Sequence, residues 1–190
     1  MFRIISGKWK AKRISAPKNF DVRPTTDFAK EALFSMIENR YDIEHISVLD
    51  LFAGIGSISL EFASRGCKDV NSVEMNPKHA AFINTTAAEL DMALNINVQR
   101  ADVYDYLKKN RNQKSYELIV ADPPFETDEK KYQELISLVL NNSFLKENGL
   151  FILEHQSRLK LAHPNITDTR KYGNVSFSFI KPNEAETSEL

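Results

Sequence analysis

One cysteine, one tryptophan, four histidines and six glycines are all that a chain of 190 residues holds of those types. The lone thiol, Cys67, excludes an internal disulfide, and with it a small scaffold stapled by disulfides. His45, His79, His155 and His163 are scattered, no Cys/His spacing suits zinc, and no metal is expected. No apolar run nears the roughly 18 residues of a membrane span. The start, MFRIISGKWKAKR, lacks the apolar core of a secretory signal, so a cytoplasmic protein without a membrane partner is expected. What is there is 42% hydrophobic and 27% charged, the composition of an ordinary globular domain. A monomer is expected.

The net charge of −1 hides an asymmetry. Residues 1–23 carry seven basic side chains against one acid, leaving 18 basic and 25 acidic residues in the rest, a net of −7. A basic arm on an acidic body suits an arm that meets phosphates, with Lys8, Lys10, Lys12, Arg13, Arg23 and the neighbouring Thr25 as candidate RNA contacts. A solvated basic strand fits the charge equally well. Trp9 and Phe20 either stack on bases or anchor the arm. The division expected is an arm over 1–23, one domain over 24–181, and a disordered acidic tail over 182–190.

Helix and strand signals alternate through the domain. Thr25-Thr26-Asp27 offers cap chemistry for a helix whose apolar face is read as Phe28, Ala32, Leu33, Met36 and Ile37. Short apolar runs at 46–51, 70–74, 95–99 and 117–122 read as buried strands, separated by helical stripes. Asn76-Pro77 is a cap followed by a first-turn proline, and Tyr132, Leu135, Ile136, Val139 and Leu140 form the clearest stripe. The runs 149–155 and 174–180 lack a helix between them and are expected to pair as an antiparallel edge hairpin. The pattern predicts an α/β fold, a mainly parallel seven-stranded Rossmann-like sheet with helices on both faces.

Open sheets of this kind bind ligands beyond the carboxyl ends of their strands. There the chain places Asp50 before a turn with Gly54 and Gly56, then Glu74, then Asp102. Ser59 stands where a dinucleotide fingerprint needs glycine or alanine, and Asp50 would repel a pyrophosphate while attracting a cationic amino acid. S-Adenosylmethionine carries an ammonium and a sulfonium and no phosphate. Glu74 is placed to accept from ribose hydroxyls and Asp102 from the adenine amino group, with Val103 offering a backbone N–H and Met75 a packing surface; Phe52, inside the turn, completes the candidate cofactor set. Asp102 also reads as an ordinary helix cap. The fourth strand runs into Asp122-Pro123-Pro124-Phe125, where two prolines stiffen a loop that presents carbonyl oxygens. The Asp122 carboxyl and the Pro123 carbonyl are two acceptors for the two hydrogens of an exocyclic nucleobase amine, and Phe125 offers a ring for stacking. Glu154-His155 ends a strand and could border this pocket, but is read as structural, as is Cys67.

RIISGKWKAKRI, RPTTDFAKEALFSMI, VLDLFAGIGSISLEFASRG, SVE, DPPF, FILEH and RKYGNVSF, in this order, resemble the bacterial small-subunit ribosomal RNA guanine-N2 methyltransferases of the RsmD family over nearly the whole chain. The resemblance implies a class I methyltransferase using S-adenosylmethionine, with S-adenosylhomocysteine as product, on the 2-amino group of one guanine in 16S rRNA within a partly assembled small subunit. By matched position, Asp50, Gly54 and Gly56 hold the methionine end, Glu74 the ribose, Asp102 the adenine and Asp122 to Phe125 the target base. Arg23 to Thr25 border the cofactor and RNA. The family usually has Tyr at the position of Phe125 and a small residue at that of Ile55. Three rivals remain on the residues alone: an adenine-N6 methyltransferase, a non-catalytic RNA-binding module, and a nicotinamide oxidoreductase, which Ser59 and the lack of a proton-transfer constellation disfavour.

Overall fold

A computed structural model describes residues 1–17, 20 and 26–182. Its centre is a seven-stranded sheet formed by β3 (Ser47–Leu51), β4 (Asp69–Glu74), β5 (Ile96–Arg100), β6 (Tyr116–Ala121), β7 (Leu145–Gln156), β8 (Ile166–Tyr172) and β9 (Val175–Ile180). The spatial order is β5-β4-β3-β6-β7-β9-β8. The first five are parallel, β9 runs antiparallel to β7, and β8 antiparallel to β9. Strand order reverses at β3: the chain steps outward to β4 and β5, then returns to β6 on the other side. That reversal opens a crevice above the carboxyl ends of β3 and β6.

Segments 149–155 and 174–180 do pair antiparallel, Phe151 with Ile180 through Gln156 with Val175. They do not form the edge, because β8 lies outside them. Its sequence, ITDTRKY, is solvent-facing along most of its length, so it lacks the apolar alternation by which strands are recognised. Charged residues on an exposed edge strand also guard against pairing with another chain.

Five α-helices among the described residues cover the two faces. α1 (Asp27–Glu38), α2 (Ser57–Ser64) and α3 (Pro77–Glu89) share one core with Val48, Val70, Leu118, Val120 and Ile152; α4 (Val103–Lys109) and α5 (Glu129–Asn141) share the other with Leu49, Leu51, Val73, Ile119 and Ala121. Strand side chains alternate between faces, which explains why neighbours such as Val48 and Leu49 fall in different cores. Thr26 caps α1, and Asn76 caps α3 with Pro77 in its first turn.

The buried face of α1 is turned from the one the sequence suggests. Ala29, Lys30, Leu33, Phe34 and Ile37 point inward, while Phe28 is 66% exposed. Lys30 causes the difference, because it sits on the apolar face with no exposure. Its Nζ donates to the Arg3 carbonyl and to Ser57 Oγ (3.3 Å) and lies 3.5 Å from Glu61 Oε2. Burial lowers the Lys30 pKa, while Glu61 works against that shift. Glu61, also fully buried, accepts from the backbone N–H groups of Ile5 (2.7 Å) and Ser6 (3.0 Å) and from Arg65 Nε (2.8 Å).

These bonds hold the amino-terminal segment, where β1 (Phe2–Arg3) pairs with β2 (Arg13–Ile14), against α2. The Lys8 N–H donates to the Ser64 carbonyl at 2.7 Å, and a Cβ at Gly7 would fall 1.9 Å from that same oxygen, so only glycine permits the approach.

Candidate active site

Alternation puts Asp50, Ser72, Glu74, Val120, Asp122, Ile152 and Glu154 on the face that carries α1, α2 and α3. Four acids therefore stand on one side of the sheet, at or near the carboxyl ends of four adjacent strands. β6–β7 pairing ends with Ala121 beside Leu153, which makes Asp122 and Glu154 the next pair of neighbours.

Asp50 is 3% exposed and accepts from Ser59 Oγ, which lies 2.6 Å from Ser72 Oγ. Burial pushes the Asp50 carboxyl up to about 7, the Ser59 bond opposes this, and the nearby Asp122 and Glu74 carboxyls add to it. A carboxyl poised at that value favours a cation beside it. Beyond Asp50 the backbone turns through three left-handed residues, Phe52 (φ +61°), Gly54 (φ +55°) and Gly56 (φ +81°). Phe52 is the strained member, since a side chain in this region costs about 1–2 kcal/mol, and its ring meets Tyr104 edge-on at 6.1 Å. Gly56 caps α2 without a side-chain bond, and its missing Cβ would stand 2.8 Å from Ile83 Cγ1.

Glu74 ties the turn to β4: Oε2 accepts from the Gly54 N–H at 2.8 Å and Oε1 from the Asn76 N–H at 2.7 Å. His79 Nδ1 lies 3.7 Å from Oε1, and the His79 ring packs 4.9 Å from that of Phe20. Each carboxylate oxygen has two acceptor positions, so these bonds leave room for a ligand hydroxyl. Met75 beside it is 65% exposed. Asp102 is the cap of α4, with Oδ1 accepting from the Asp105 N–H at 3.0 Å. The cap and ligand readings of Asp102 are compatible, because the cap uses one oxygen. Val103, the first residue of α4, has an N–H with no acceptor inside the helix.

On the other side of the crevice, the Asp122 N–H donates to the Leu51 carbonyl at 3.3 Å. Pro123 is buried, Pro124 is exposed, and Phe125 is 42% exposed with its carbonyl accepting from Gln156 Nε2. A cleft of about 310 Å³ opens beside this loop, bordered by Phe125, Thr127, Tyr132, Gln156, Arg158 and Leu159. Glu154 is 8% exposed, and burial together with Asp122 pushes its carboxyl up to about 9. His155 points to the opposite face, where Nε2 meets Ser178 Oγ at 2.8 Å, and burial lowers its pKa.

The structure thus gathers Asp50, Phe52, Gly54, Gly56, Glu74, Asp102, Val103 and the 122–125 loop around one edge of the sheet. Of the arm it brings Phe20 there, onto the His79 ring beside Glu74, but not Lys8. Lys8 is anchored to Ser64, the last residue of α2, so it sits about 12 Å along that helix from the glycine turn. Lys10, Lys12 and Arg13 are exposed and have no ion-pair partner among the described residues. Trp9 and Phe20 pack against the core, the anchoring role of the two considered. Arg23, Thr25 and the tail from 183 lie outside the described residues. Sequence reasoning weighed Glu154 as a border of the pocket but read it as structural, used Ser59 only against a dinucleotide site, and did not single out Lys30 or Glu61. Only Glu154 carried a signal, an acid ending a strand.

No group of three or more His, Cys, Asp or Glu among the described residues is placed to hold a metal, and no described helix is long and apolar enough to cross a membrane. A solved structure of yhhF from Escherichia coli, named as a methyltransferase, superposes with a TM-score of 0.79 at 25% identity, covering 95% of this chain and 98% of that one. Coclaurine N-methyltransferase, solved with S-adenosylhomocysteine, matches at TM-score 0.54 and 26% identity over 70% of this chain and 36% of its own. The ribosomal RNA small subunit methyltransferase D of Buchnera aphidicola subsp. Baizongia pistaciae is 36% identical over 163 residues, 85% of this chain and 80% of that one. The family model described as conserved hypothetical protein 95 matches residues 2–181, and the chain belongs to this methyltransferase family, that of the small-subunit methyltransferases D.

Proposed function

We propose that the protein transfers a methyl group from S-adenosylmethionine to the exocyclic 2-amino group of a guanine in small-subunit ribosomal RNA, the RNA being presented in a partly assembled subunit. The observation that carries this reading is the single row of acids above the strand reversal, next to a Pro-Pro loop with an exposed ring. A row of carboxyls repels phosphates and suits a ligand that presents an ammonium, a sulfonium, two ribose hydroxyls and an exocyclic amino group and carries no phosphate. The residues fit S-adenosylmethionine for that reason. Asp50 would hold the ammonium, Glu74 the ribose hydroxyls, and Asp102 with the Val103 N–H the adenine edge. The cofactor, when bound, supplies a methyl group on a positively charged sulfur.

The chain's own part is positioning. Asp122 and the Pro123 carbonyl grip both hydrogens of the amine, drawing its nitrogen out of conjugation with the ring and freeing a lone pair. Holding two reactants in line is worth about 7–11 kcal/mol. The amine nitrogen bonds to the methyl carbon as that carbon's bond to sulfur breaks, the bonding pair leaving with a sulfur that becomes a neutral thioether, and the surplus proton on nitrogen passes to Asp122 or to water. Phe125 stacks on a base that has left its helix, worth about 1–3 kcal/mol. Asp122→Ala tests the assignment: cofactor binding is expected to survive while turnover falls by at least 100-fold. Turnover within tenfold of the parent would remove Asp122 from the reaction.

A further inference from the structure

Glu154 is a buried acid that the reaction described above does not use. It follows Leu153, which pairs with Ala121 on β6, just as Asp122 follows Ala121, and the Asp122 carboxyl is near enough to raise the pKa of the Glu154 carboxyl. Opposite it on β9 stands Phe177, fully buried, which gives it an apolar backing. At 8% exposure its side chain has neither a hydrogen bond nor an ion pair with any described residue. Its oxygens are nonetheless not sealed off, since Trp9 Nε1 is the only enclosed and unpartnered polar side-chain atom among the described residues. A carboxyl in such a place is costly unless something binds it. It stands near the carboxyl end of β7, beside the end of β6 from which the loop that grips the target amine continues.

We propose that Glu154 reads the target base, accepting from guanine N1–H and donating to guanine O6 while Asp122 and the Pro123 carbonyl hold the 2-amino group. This rests on the methyl-transfer reading above and assigns its base discrimination. The three positions O6, N1–H and 2-amino lie in a line along one edge of guanine. Two adjacent carboxyls on neighbouring strands cover that line. A protonated carboxyl has one donor and one acceptor, the complement of the O6/N1–H pair. Burial and the Asp122 carboxyl hold Glu154 in that protonated form at neutral pH. An ionised carboxylate could accept from N1–H but would repel O6. Adenine, offered by its 6-amino group, presents one acceptor at N1 and a bare C2–H beyond it, so it satisfies half of what Glu154 offers.

The test uses the full-length chain, S-adenosylmethionine and RNA carrying the mapped target nucleotide. Glu154→Gln keeps one donor and one acceptor, whereas Glu154→Leu keeps the volume and removes both. Each is assayed on RNA with guanine and with 2-aminopurine at the target, the latter retaining the 2-amino group but lacking N1–H and O6. Removing a pair of hydrogen bonds to a base is worth about 10- to 100-fold in kcat/KM. The parent is expected to lose that factor on 2-aminopurine. Glu154→Leu loses it on guanine and shows no further loss on 2-aminopurine; Glu154→Gln stays within tenfold of the parent and still discriminates. Cofactor affinity is unchanged in both variants. Overturning results are Glu154→Leu within twofold of the parent on guanine, multiplied penalties of variant and base, or a Glu154→Gln that no longer discriminates. Should Glu154→Leu fail to fold, Glu154→Met, which also removes both carboxyl oxygens while keeping volume, takes its place with the same expected and overturning results. If the parent methylates no guanine, the methyl-transfer reading fails first, a result distinct from a guanine methyltransferase indifferent to Glu154.

Discussion

Asp50→Asn is expected to stabilise the protein and to weaken its hold on the cofactor. The unfolded chain ionises Asp50 near 3.8, whereas the folded protein keeps the proton up to about 7. Across that window the folded state binds more protons, so this residue's contribution falls as pH rises, and the loss is complete above the folded value. A shift of about 3 units at about 1.4 kcal/mol each corresponds to roughly 4 kcal/mol at high pH. About 1.5 kcal/mol of it is already lost at pH 5. Asparagine is neutral throughout and still accepts from Ser59 Oγ. Its stability advantage over the parent should therefore grow by about 2–3 kcal/mol between pH 5 and pH 8.5. For a domain of this size that corresponds to roughly 5–10 °C in melting temperature. Loss of a charge-assisted bond to the cofactor's ammonium should weaken binding by about 10- to 150-fold. Paired thermal melts at the two pH values, with calorimetric titration of S-adenosylmethionine, read both effects. A melting difference that does not change with pH would refute the electrostatic argument, and undiminished binding would remove Asp50 from the site.

Glu61→Ala should destabilise the fold by about 3–5 kcal/mol, because it leaves the Lys30 ammonium buried without its partner; Lys30→Met in that background should recover half or more in denaturant melts. Gly56→Ala, which demands a left-handed alanine and a shift of Ile83, should lower the melting temperature by about 2–8 °C and weaken cofactor binding. Phe125→Ala should raise KM for RNA by about 5- to 150-fold while Phe125→Tyr stays near the parent, a pattern checked by steady-state kinetics. Neutralising Lys8, Lys10, Lys12 and Arg13 together should flatten the salt dependence of RNA binding by about 0.7–0.9 of a log unit for each phosphate that these side chains neutralise. An unchanged slope would take that surface out of the interface.

The sheet was legible because four of its five parallel strands, β3, β4, β6 and β7, are buried on both faces over most of their length and stand between helical stripes, while the more exposed β5 was placed by that alternation. Ser47–Leu51 and Tyr116–Ala121, buried from end to end but for Glu117, show this most clearly. β8 was not legible, since an edge strand carrying Thr167, Asp168, Thr169, Arg170 and Lys171 in solvent has no apolar rhythm to detect. The face of α1 was misjudged for a related reason. Periodicity counts lysine as polar and cannot know that Glu61, 31 residues further on, gives Lys30 a buried partner. The acids of the site stood out because strand ends and glycine turns are local features. Ser59 supporting Asp50, and Glu154 beside Asp122, depend on strand register and on packing between elements, which no local pattern carries. Glu154 and His155 look alike as a pair in sequence, yet alternation sends one to the crevice and the other to the α5 side.

Methyl transfer from labelled S-adenosylmethionine to unmethylated small-subunit RNA, naked and within small subunits, followed by nucleoside mass spectrometry, tests the central claim most directly. The account predicts label in N2-methylguanosine, dependent on Asp122 and favoured by the partly assembled subunit. Label in N6-methyladenosine, or none while the cofactor binds, would contradict it.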